Sequence, residues 1–293
     1  MKPHIVTVAL VLLLSGCGSK PDEGTIILYG RENNSGTYMY FKEHVLDKED
    51  FAPNVQTLPG TAAVINAVSK DPRSIGYGGI GYVKGVRTVP VSKDGRSPAV
   101  EPTQQNVVNG AYPISRNLYF YTVHEPKGAV RQFIAWVLSD EGQQVCEKVG
   151  YYPLPVERRG QVKPAEAQAE NKTITVKGSD TMVILGQRWA ERYMTKTPGT
   201  VVQVTGGGSG TGIAALINGA TDICESSRPL DPKERAQIKT RFGKAPVEIA
   251  VAMDGVAVFV RESNPLTSIA LPELKALYTG RVKSWRELGS TAK

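Results

Sequence analysis

The sequence predicts an α/β fold with mixed sheets, divided between two lobes. The chain has 293 residues, which exceeds the usual size of one domain and is enough for two separate cores. Hydrophobic residues make up 41% of the chain and charged residues 22%, close to the average of globular proteins. From Thr25 onward, short β-rich runs alternate with helical segments. That alternation is typical of α/β folds.

The predicted elements follow from hydrophobic periodicity and from the residues that interrupt it. Residues 129–149 carry an apolar stripe at helical spacing, and the glycine-rich run 75–83 indicates a pair of strands. The polar stretch 155–172 is predicted to be a linker, because the pattern restarts after it. The other predictions are strands at 26–29, 118–122, 174–176, 201–204, 257–260 and around Ile223, and helices at 38–45, 62–68, 182–194, 213–217 and 272–278. A hydroxyl or carboxylate side chain is expected to cap the helix 182–194.

Residues 1–17 have the pattern of an export signal. One basic residue, Lys2, precedes an apolar run at 5–14. The run is shorter than the roughly 20 apolar residues that cross a bilayer, and small residues follow it, as at a cleavage site. A buried strand is the alternative interpretation. Leu14-Ser15-Gly16-Cys17 resembles a bacterial lipobox, and that resemblance implies a lipoprotein signal peptide at 1–16, a lipid on Cys17 and a tether at 17–24. The protein would then be exported and lipid-anchored to a membrane, either periplasmic or at the cell surface.

Charge and composition argue against several classes of protein. The formal charge is +7, from 35 Lys and Arg against 28 Asp and Glu, which suits an anionic ligand. The basic residues are scattered and lack the aromatic interleaving of a nucleic-acid surface, so we expect no nucleic-acid partner. The chain has 3 histidines, which offer little for a metal site or a histidine base; we expect no cofactor, no metal and no enzymatic activity. Cys146 and Cys224 are expected to be free buried thiols, with a disulfide between them as the alternative.

Hydroxyl-rich turns occupy three predicted strand–helix junctions. Ser-Gly-Thr occurs at Ser35-Gly36-Thr37 and again at Ser209-Gly210-Thr211, and Ser179-Asp180-Thr181 occupies the third junction. The N–H groups of a first helical turn, the dipole and nearby hydroxyls together bind anions. Arg31 can add a bidentate, charge-assisted pair. Each turn taken alone also fits a simple helix cap.

Two rival motifs near these turns are weak. Gly210-Thr211-Gly212-Ile213-Ala214-Ala215 fits a dinucleotide-binding pattern, but no suitably spaced acid for a ribose accompanies it. The run 207–211 lacks the last glycine of a nucleophile elbow, and no histidine is near it in the sequence. Neither supports a dehydrogenase or a serine hydrolase.

Several longer motifs resemble the phosphate-binding protein of the bacterial phosphate ABC transporter. They are Gly178-Ser179-Asp180-Thr181-Met182, the glycine-rich run 206–212, Ser226-Ser227-Arg228-Pro229, the run 254–258, the run 31–37 and Tyr151-Tyr152-Pro153-Leu154. The resemblance covers nearly all of the mature chain. It implies a periplasmic-binding-protein-like, type II fold with a two-strand hinge. It also implies a monomer that captures inorganic phosphate between its lobes and delivers it to an ABC permease of the cytoplasmic membrane.

The order of the segments departs from that family. In the family, the segment like 173–288 comes before the segment like 25–154, whereas here the two are exchanged. The resemblance therefore implies a circular permutation, which surface termini and exposed loops tolerate. The expected lobes are a discontinuous lobe B, at 24–116 plus 254–293, and a continuous lobe A, at 117–253, which contains the linker.

The resemblance and the three turns together define the expected ligand site. The family's contacts carry over to Arg31, Ser35, Gly36, Thr37, Thr181, Met182, Ser209 and Ser227, and the junctions add Ser179, Asp180, Gly210 and Thr211.

One match fails. Ser227 stands where well-known members have an aspartate that accepts the proton of hydrogen phosphate. Asp180 is the candidate substitute, with an N-cap role as its alternative, and Glu32 and Glu225 are weaker candidates. A site of donors alone would favour ionised oxyanions such as sulfate, tungstate or molybdate. The alternatives to an uptake protein are a sensor or adhesin-like module that binds the same ligand, and an exported phosphatase.

Overall fold

The computed structural model describes residues 24–164 and 172–291, and for residues 289–291 only the backbone. The predicted signal peptide, the lipid site at Cys17 and most of the tether fall on residues outside this range, as does the linker segment 165–171. Within the described range, residues 156–158 of the linker form a short 3₁₀ turn.

The secondary structure alternates strands and helices along the whole described chain. The strands are β1 (Ile27–Arg31), β2 (Gln56–Leu58), β3 (Ser74–Gly79), β4 (Arg87–Val89), β5 (Val91–Ser92), β6 (Ser115–Thr122), β7 (Lys172–Gly178), β8 (Thr200–Thr205), β9 (Ile223–Ser226), β10 (Val247–Val260) and β11 (Ile269–Ala270). The helices are α1 (Gly36–His44), α2 (Gly60–Lys70), α3 (Gln104–Val108), α4 (Gly128–Val137), α5 (Asp140–Val149), α6 (Val183–Lys196), α7 (Ser209–Asn218), α8 (Pro232–Phe242), α9 (Leu271–Tyr278) and α10 (Trp285–Thr291).

One mixed, curled sheet carries both lobes. Its strand order is β2-β1-β3-β10-β6-β9-β7-β8, with β4 also on β10. The C-terminal part of β10 pairs antiparallel with β3 and β4, and its N-terminal part pairs antiparallel with β6. Pairs β1–β2, β1–β3, β7–β8 and β7–β9 are parallel. We call the half with β1, β2, β3 and β4 the β1 lobe, and the half with β7, β8 and β9 the β7 lobe. This is the two-lobe type II architecture; the residue limits of the lobes and the exchanged chain order remain predictions.

The glycine-rich run at 75–83 is a single strand, β3, followed by a 3₁₀ turn at Ile80–Tyr82, so the predicted strand pair is wrong. The glycines make room for neighbours instead of breaking the strand. A Cβ at Gly76 would lie 2.8 Å from side-chain carbons of both Val64 and Val68 on α2. Because α2 packs this closely on the strand, the pleat has no space for side chains there.

Local hydrogen bonding explains where the predicted helices differ from the observed ones. The stripe at 129–149 is two helices, α4 and α5, because the Ser139 hydroxyl caps a new helix by accepting from the N–H of Gly142. Helix α6 has Met182 at its N-cap and no side-chain cap, so the expected hydroxyl or carboxylate cap is wrong. Helix α7 begins at Ser209, four residues before the prediction.

Helix α8 was absent from the predicted elements. It begins with a capping box in which the Asp231 carboxylate accepts from the N–H of Glu234 and the Glu234 carboxylate accepts from the N–H of Asp231. Its hydrophobic stripe is thin, since Ile238 alone of its residues is buried. That is why periodicity did not reveal it.

Both described cysteines are free and buried, as expected. Cys146 lies on α5 and Cys224 on β9. Burial raises the pKa of each thiol well above its ordinary value. Both therefore remain protonated and act as small apolar side chains.

Candidate functional site

Four buried hydroxyl groups from four different elements meet where the lobes face each other. Thr37 is in the first turn of α1, Thr181 precedes α6, Ser209 starts α7, and Ser227 follows β9. The Oγ1 atoms of Thr37 and Thr181 are 2.8 Å apart, and the Oγ atoms of Ser209 and Ser227 are 3.4 Å apart. Each of the four residues is at most 1% exposed. We call these four residues the hydroxyl cluster.

Gly36 lies directly against the cluster. A Cβ at this position would be 2.4 Å from Ser209 Oγ and 2.6 Å from Ser227 Oγ. The main chain of the β1 lobe therefore approaches the two serines of the β7 lobe too closely for a Cβ to fit between them. Glycine is needed here for space, since any side chain would push the lobes apart.

Ser35 caps the N-terminus of α1, as the alternative interpretation of this turn predicted. Its hydroxyl oxygen accepts from the main-chain N–H of Thr37 at 3.1 Å and from that of Tyr38 at 3.4 Å. Because this oxygen accepts from the backbone, the hydroxyl hydrogen can be donated to another acceptor. A capping role and a ligand contact are thus compatible at Ser35.

Arg31 is fully buried at the end of β1 and is paired with two carboxylates. Its Nη2 donates to Glu32 Oε1 at 3.0 Å and to Asp180 Oδ2 at 3.2 Å, and its Nη1 donates to Thr61 Oγ1 at 2.8 Å. Burial of Glu32 opposes its ionisation, but the hydrogen bond and charge of Arg31, together with the main-chain N–H groups of Glu32 and Gly60, leave the pKa of Glu32 below its ordinary value. The positive charge of Arg31 is therefore already balanced by the protein.

Asp180 joins the two lobes. Its Oδ2 accepts from Arg31 of the β1 lobe, and its Oδ1 accepts from the main-chain N–H of Gly207 at 2.7 Å. It does not cap α6, which starts at Met182 as N-cap with no side-chain bond. The N-cap interpretation of Asp180 is wrong, and its role as a proton acceptor for the ligand remains a prediction.

Asn34 forms a second contact between the lobes. Its side-chain Nδ2 donates to the carbonyl of Gly207 at 2.9 Å and to Thr211 Oγ1 at 3.4 Å. Its carbonyl accepts from the N–H of Gly210 at 2.9 Å. Gly208 has φ +91, and a Cβ there would lie 2.8 Å from the Asn34 carbonyl oxygen, so both conformation and space require glycine. Gly210 and Thr211, which were predicted to contact the ligand, here contact Asn34.

Ser179 and Met182 hold the turn before α6 with their main chains. The N–H of Ser179 donates to the Glu225 carbonyl at 3.0 Å, and the N–H of Met182 donates to the Ser179 carbonyl at 2.9 Å. The Met182 side chain is fully buried in the main hydrophobic core. The side chain of Met182 therefore does not reach the cleft.

Two tyrosines support the same turn from outside. Tyr82 OH donates to the Asp180 carbonyl at 2.8 Å, and Tyr151 OH donates to the Thr181 carbonyl. Burial raises the pKa of both phenols, so each remains a donor. Tyr151 belongs to a motif that the sequence singled out, but no role in the site was expected for either residue.

A buried ion pair, Arg116 with Asp254, was also missed as part of the site. The two residues face each other across β6 and β10, and their side chains are 1% and 0% exposed. Arg116 Nε and Nη2 donate to Asp254 Oδ2 at 3.0 and 2.7 Å, and Asp254 Oδ1 accepts from the N–H of Ile80 at 2.9 Å. Burial raises the pKa of Asp254, although the charge and hydrogen bonds of Arg116 oppose that rise. The available signal was a charged residue inside each of two apolar β-rich runs.

Glu225 is a fully buried acid with no hydrogen-bond partner for either carboxyl oxygen within the described chain. It projects toward α6, where a Cβ at Gly186 would be 2.2 Å from its Oε1. Burial raises its pKa well above the ordinary value, so we treat it as a neutral carboxylic acid.

The described residues contain no group of three or more His, Cys, Asp or Glu side chains arranged to hold a metal ion. In the same part of the chain, no helix has both the length and the apolar character needed to span a bilayer.

The fold and the cleft between its lobes define a type II solute-binding protein. The hydroxyl groups in the cleft are donors of the kind that bind anions. A family model described as a PBP superfamily domain matches residues 17–141 and 163–293. The chain is 31% identical over 290 residues to phosphate-binding protein PstS 2 of Streptococcus agalactiae, covering 94% of this chain and 93% of that protein. It is 44% identical over 158 residues to phosphate-binding protein PstS of Pseudomonas aeruginosa, covering 47% of this chain and 49% of that one.

Among solved structures, a phosphate-binding protein of a phosphate ABC transporter from Streptococcus pneumoniae superposes with a TM-score of 0.69 at 26% identity, covering 90% of this chain and 100% of that one. The chain therefore belongs to the PBP superfamily and, within it, to the family of the phosphate-binding proteins of phosphate ABC transporters.

Proposed function

We propose that this protein captures inorganic phosphate between its two lobes outside the cytoplasm and delivers it to an ABC transporter. The observation that carries the proposal is the convergence of Thr37, Thr181, Ser209 and Ser227 beside the bare main chain of Gly36. Relatives with matching chains are named as phosphate-binding proteins. Phosphate is an anion that hydroxyl donors of this kind can bind, so the relatives' names and the donors support the same ligand.

Neutral donors explain how an anion can be held tightly in a buried place. Hydroxyl groups and main-chain N–H groups stabilise a charged oxygen without adding a charge that must itself be desolvated. Two buried arginines near the cluster are paired with carboxylates, Arg31 with Glu32 and Asp180, and Arg116 with Asp254. The ligand charge is then met mostly by dipoles, which favours release when the lobes open.

Which oxyanion binds depends on whether a residue of the site can accept a hydrogen bond from the ligand. Hydrogen phosphate carries one P–OH group, which needs an acceptor, whereas sulfate carries none. Ser227 has a hydroxyl that can accept as well as donate. Asp180 follows Ser179 in the turn before Thr181, and its carboxylate is 20% exposed. We assign the acceptor role to Asp180, which requires its oxygens to accept from the ligand in addition to Arg31 and Gly207.

We propose that the protein is anchored by a lipid on Cys17, acts as a monomer, and has no catalytic activity. The residues that contact phosphate are proposed to be Arg31, Ser35, Gly36, Thr37, Ser179, Asp180, Thr181, Met182, Ser209, Gly210, Thr211 and Ser227.

Calorimetric titration of the phosphate-stripped protein tests the proposal. Phosphate should release heat with a nanomolar to micromolar Kd, and equimolar sulfate should leave that Kd unchanged. Parallel titrations with tungstate and molybdate define the selectivity. An absence of heat with phosphate, together with binding of one of the other oxyanions, would replace phosphate by that anion as the ligand.

A further inference from the structure

Arg116 contacts both halves of the hydroxyl cluster although it comes from the middle of the sheet. Its Nη2 donates to Thr37 Oγ1 at 2.9 Å, and its Nη1 donates to the main-chain carbonyl of Ser227 at 2.9 Å. Thr37 belongs to the β1 lobe and Ser227 to the β7 lobe. One guanidinium group thus reaches a ligand-facing element of each lobe.

The bond from Arg116 restricts the hydrogen bonds that Thr37 can form. A guanidinium group has donors only, so Thr37 Oγ1 must accept from it. The hydrogen of the Thr37 hydroxyl then points elsewhere, either to Thr181 Oγ1 at 2.8 Å or toward the ligand. If Thr37 donates to Thr181, the hydrogen of Thr181 is the one left over. In both cases this pair of threonines has one hydroxyl hydrogen to donate to a ligand oxygen.

Arg116 also holds the residue whose main-chain N–H contacts the serine half of the cluster. The N–H of Ser227 donates to Ser209 Oγ at 3.1 Å, so the Ser209 oxygen is an acceptor there and its hydrogen is directed away. Arg116 donates to the carbonyl of that same residue, Ser227. Its guanidinium group therefore restrains Ser227, the residue whose N–H donates to Ser209.

Asp254 supplies the anchor that makes Arg116 rigid. The Nε and Nη2 atoms of Arg116 both donate to Asp254 Oδ2, and Asp254 is itself held by the N–H of Ile80. The Tyr40 ring lies against the guanidinium group, with its centroid 5.4 Å from Cζ. A lysine at this position would place one charge near Asp254 but could not reach Asp254, Thr37 and Ser227 with a planar fork.

We propose that Arg116 is a positioning residue for the oxyanion: it makes the Thr37–Thr181 pair a donor toward the ligand, so that this pair binds an oxygen that carries no hydrogen. The inference rests on the proposed function. It also divides the site, because the P–OH group of hydrogen phosphate must then face an acceptor other than the two threonines.

A double-mutant cycle tests whether Arg116 acts through Thr37. Phosphate Kd is measured by calorimetry for the unaltered protein, Arg116→Lys, Thr37→Val and the double variant. Arg116→Lys should weaken phosphate binding by about tenfold or more in the unaltered background. In the Thr37→Val background, which has no hydroxyl to orient, the same change should cost at most about a third of that factor on a logarithmic scale.

The outcomes separate the inference from the proposed function. Equal losses in the two backgrounds would overturn the positioning role of Arg116 while leaving phosphate binding by the unaltered protein intact. No phosphate binding by the unaltered protein would overturn the proposed function and the inference with it. Thermal unfolding of each ligand-free variant checks that it folds. If Arg116→Lys fails to fold, the cycle is run with Arg116→Met combined with Asp254→Asn, which removes both members of the buried pair together.

Discussion

Asp180 and Arg31 form an ion pair between the two lobes, with Oδ2 of the aspartate 3.2 Å from Nη2 of the arginine. The two residues are 149 positions apart in the chain. The other oxygen of Asp180 accepts from the N–H of Gly207, so the carboxylate also holds the loop that leads into Ser209. The lobes are thus held in a closed arrangement by contacts of the protein itself, next to the hydroxyl cluster.

Asp180→Asn should weaken phosphate binding by about tenfold or more and should weaken tungstate binding less. An amide loses the charge that pairs with Arg31 and presents a donor where a P–OH group needs an acceptor. Titration calorimetry with both anions measures the two losses. Asp50→Asn, at an exposed position paired with Lys42, is the matched control and should change neither affinity. Equal losses for phosphate and tungstate would assign Asp180 a purely structural role.

Gly36→Ala should reduce phosphate affinity by about tenfold or more while leaving the fold stable. The added methyl group would meet Ser209 Oγ and Ser227 Oγ at 2.4 and 2.6 Å, so the lobes could not close fully. Alanine is otherwise well suited to the first turn of α1. Gly160→Ala is the control, because a Cβ there has nothing within 4 Å. Unchanged affinity in Gly36→Ala, with an unchanged thermal midpoint, would show that the bound state has a wider cleft.

Asn34→Ala should speed the release of phosphate by several-fold, because it removes the side-chain bonds to Gly207 and Thr211 that join the lobes. The carbonyl of residue 34 still accepts from Gly210, so closure itself should persist. Stopped-flow measurement of the dissociation rate provides the test. Asn66→Ala, at an exposed position on α2, should release phosphate at the unaltered rate. A slower release in Asn34→Ala would contradict a closing role for this side chain.

Glu225→Gln should make the protein more stable at pH 7.5 and leave its stability at pH 4 nearly unchanged. Burial raises the pKa of Glu225 in the folded state well above its ordinary value of 4.5. Well below pH 4.5 the acid is neutral in both the folded and the unfolded chain. As the pH rises, the unfolded chain ionises first, and the free energy of unfolding falls by about 1.4 kcal/mol for each pH unit until the folded pKa is reached.

A glutamine does not titrate, so the variant should escape that loss, and the difference between variant and unaltered protein should grow with pH. Urea unfolding at pH 4, 5.5 and 7.5 gives the three free energies of unfolding. Glu157→Gln, at an exposed linker position, is the control and should follow the unaltered protein. A difference that stays constant with pH would mean that Glu225 is ionised in the folded protein.

Local sequence signals predicted much of the fold because they depend on neighbours in the chain. The strand at 26–29, the helix at 62–68 and the helix at 272–278 all correspond to observed elements, β1, α2 and α9. The wrong predictions arose where hydrophobic periodicity did not show a packing contact or a helix cap. The glycines of β3 stay in one strand because α2 packs on them, and the segment 129–149 breaks at Ser139 because its hydroxyl caps a new helix.

The sequence by itself determined the α/β class, the family resemblance and the hydroxyl groups at the strand–helix junctions, since each can be inferred from residues within a few positions. The tertiary structure decided which partners those groups have. It paired Asp180 with Arg31, and it brought Arg116 opposite Asp254, 138 positions away. The physical reason is that pairing across the sheet depends on how β6 and β10 align, and that alignment results from packing of the whole chain, which no short segment specifies.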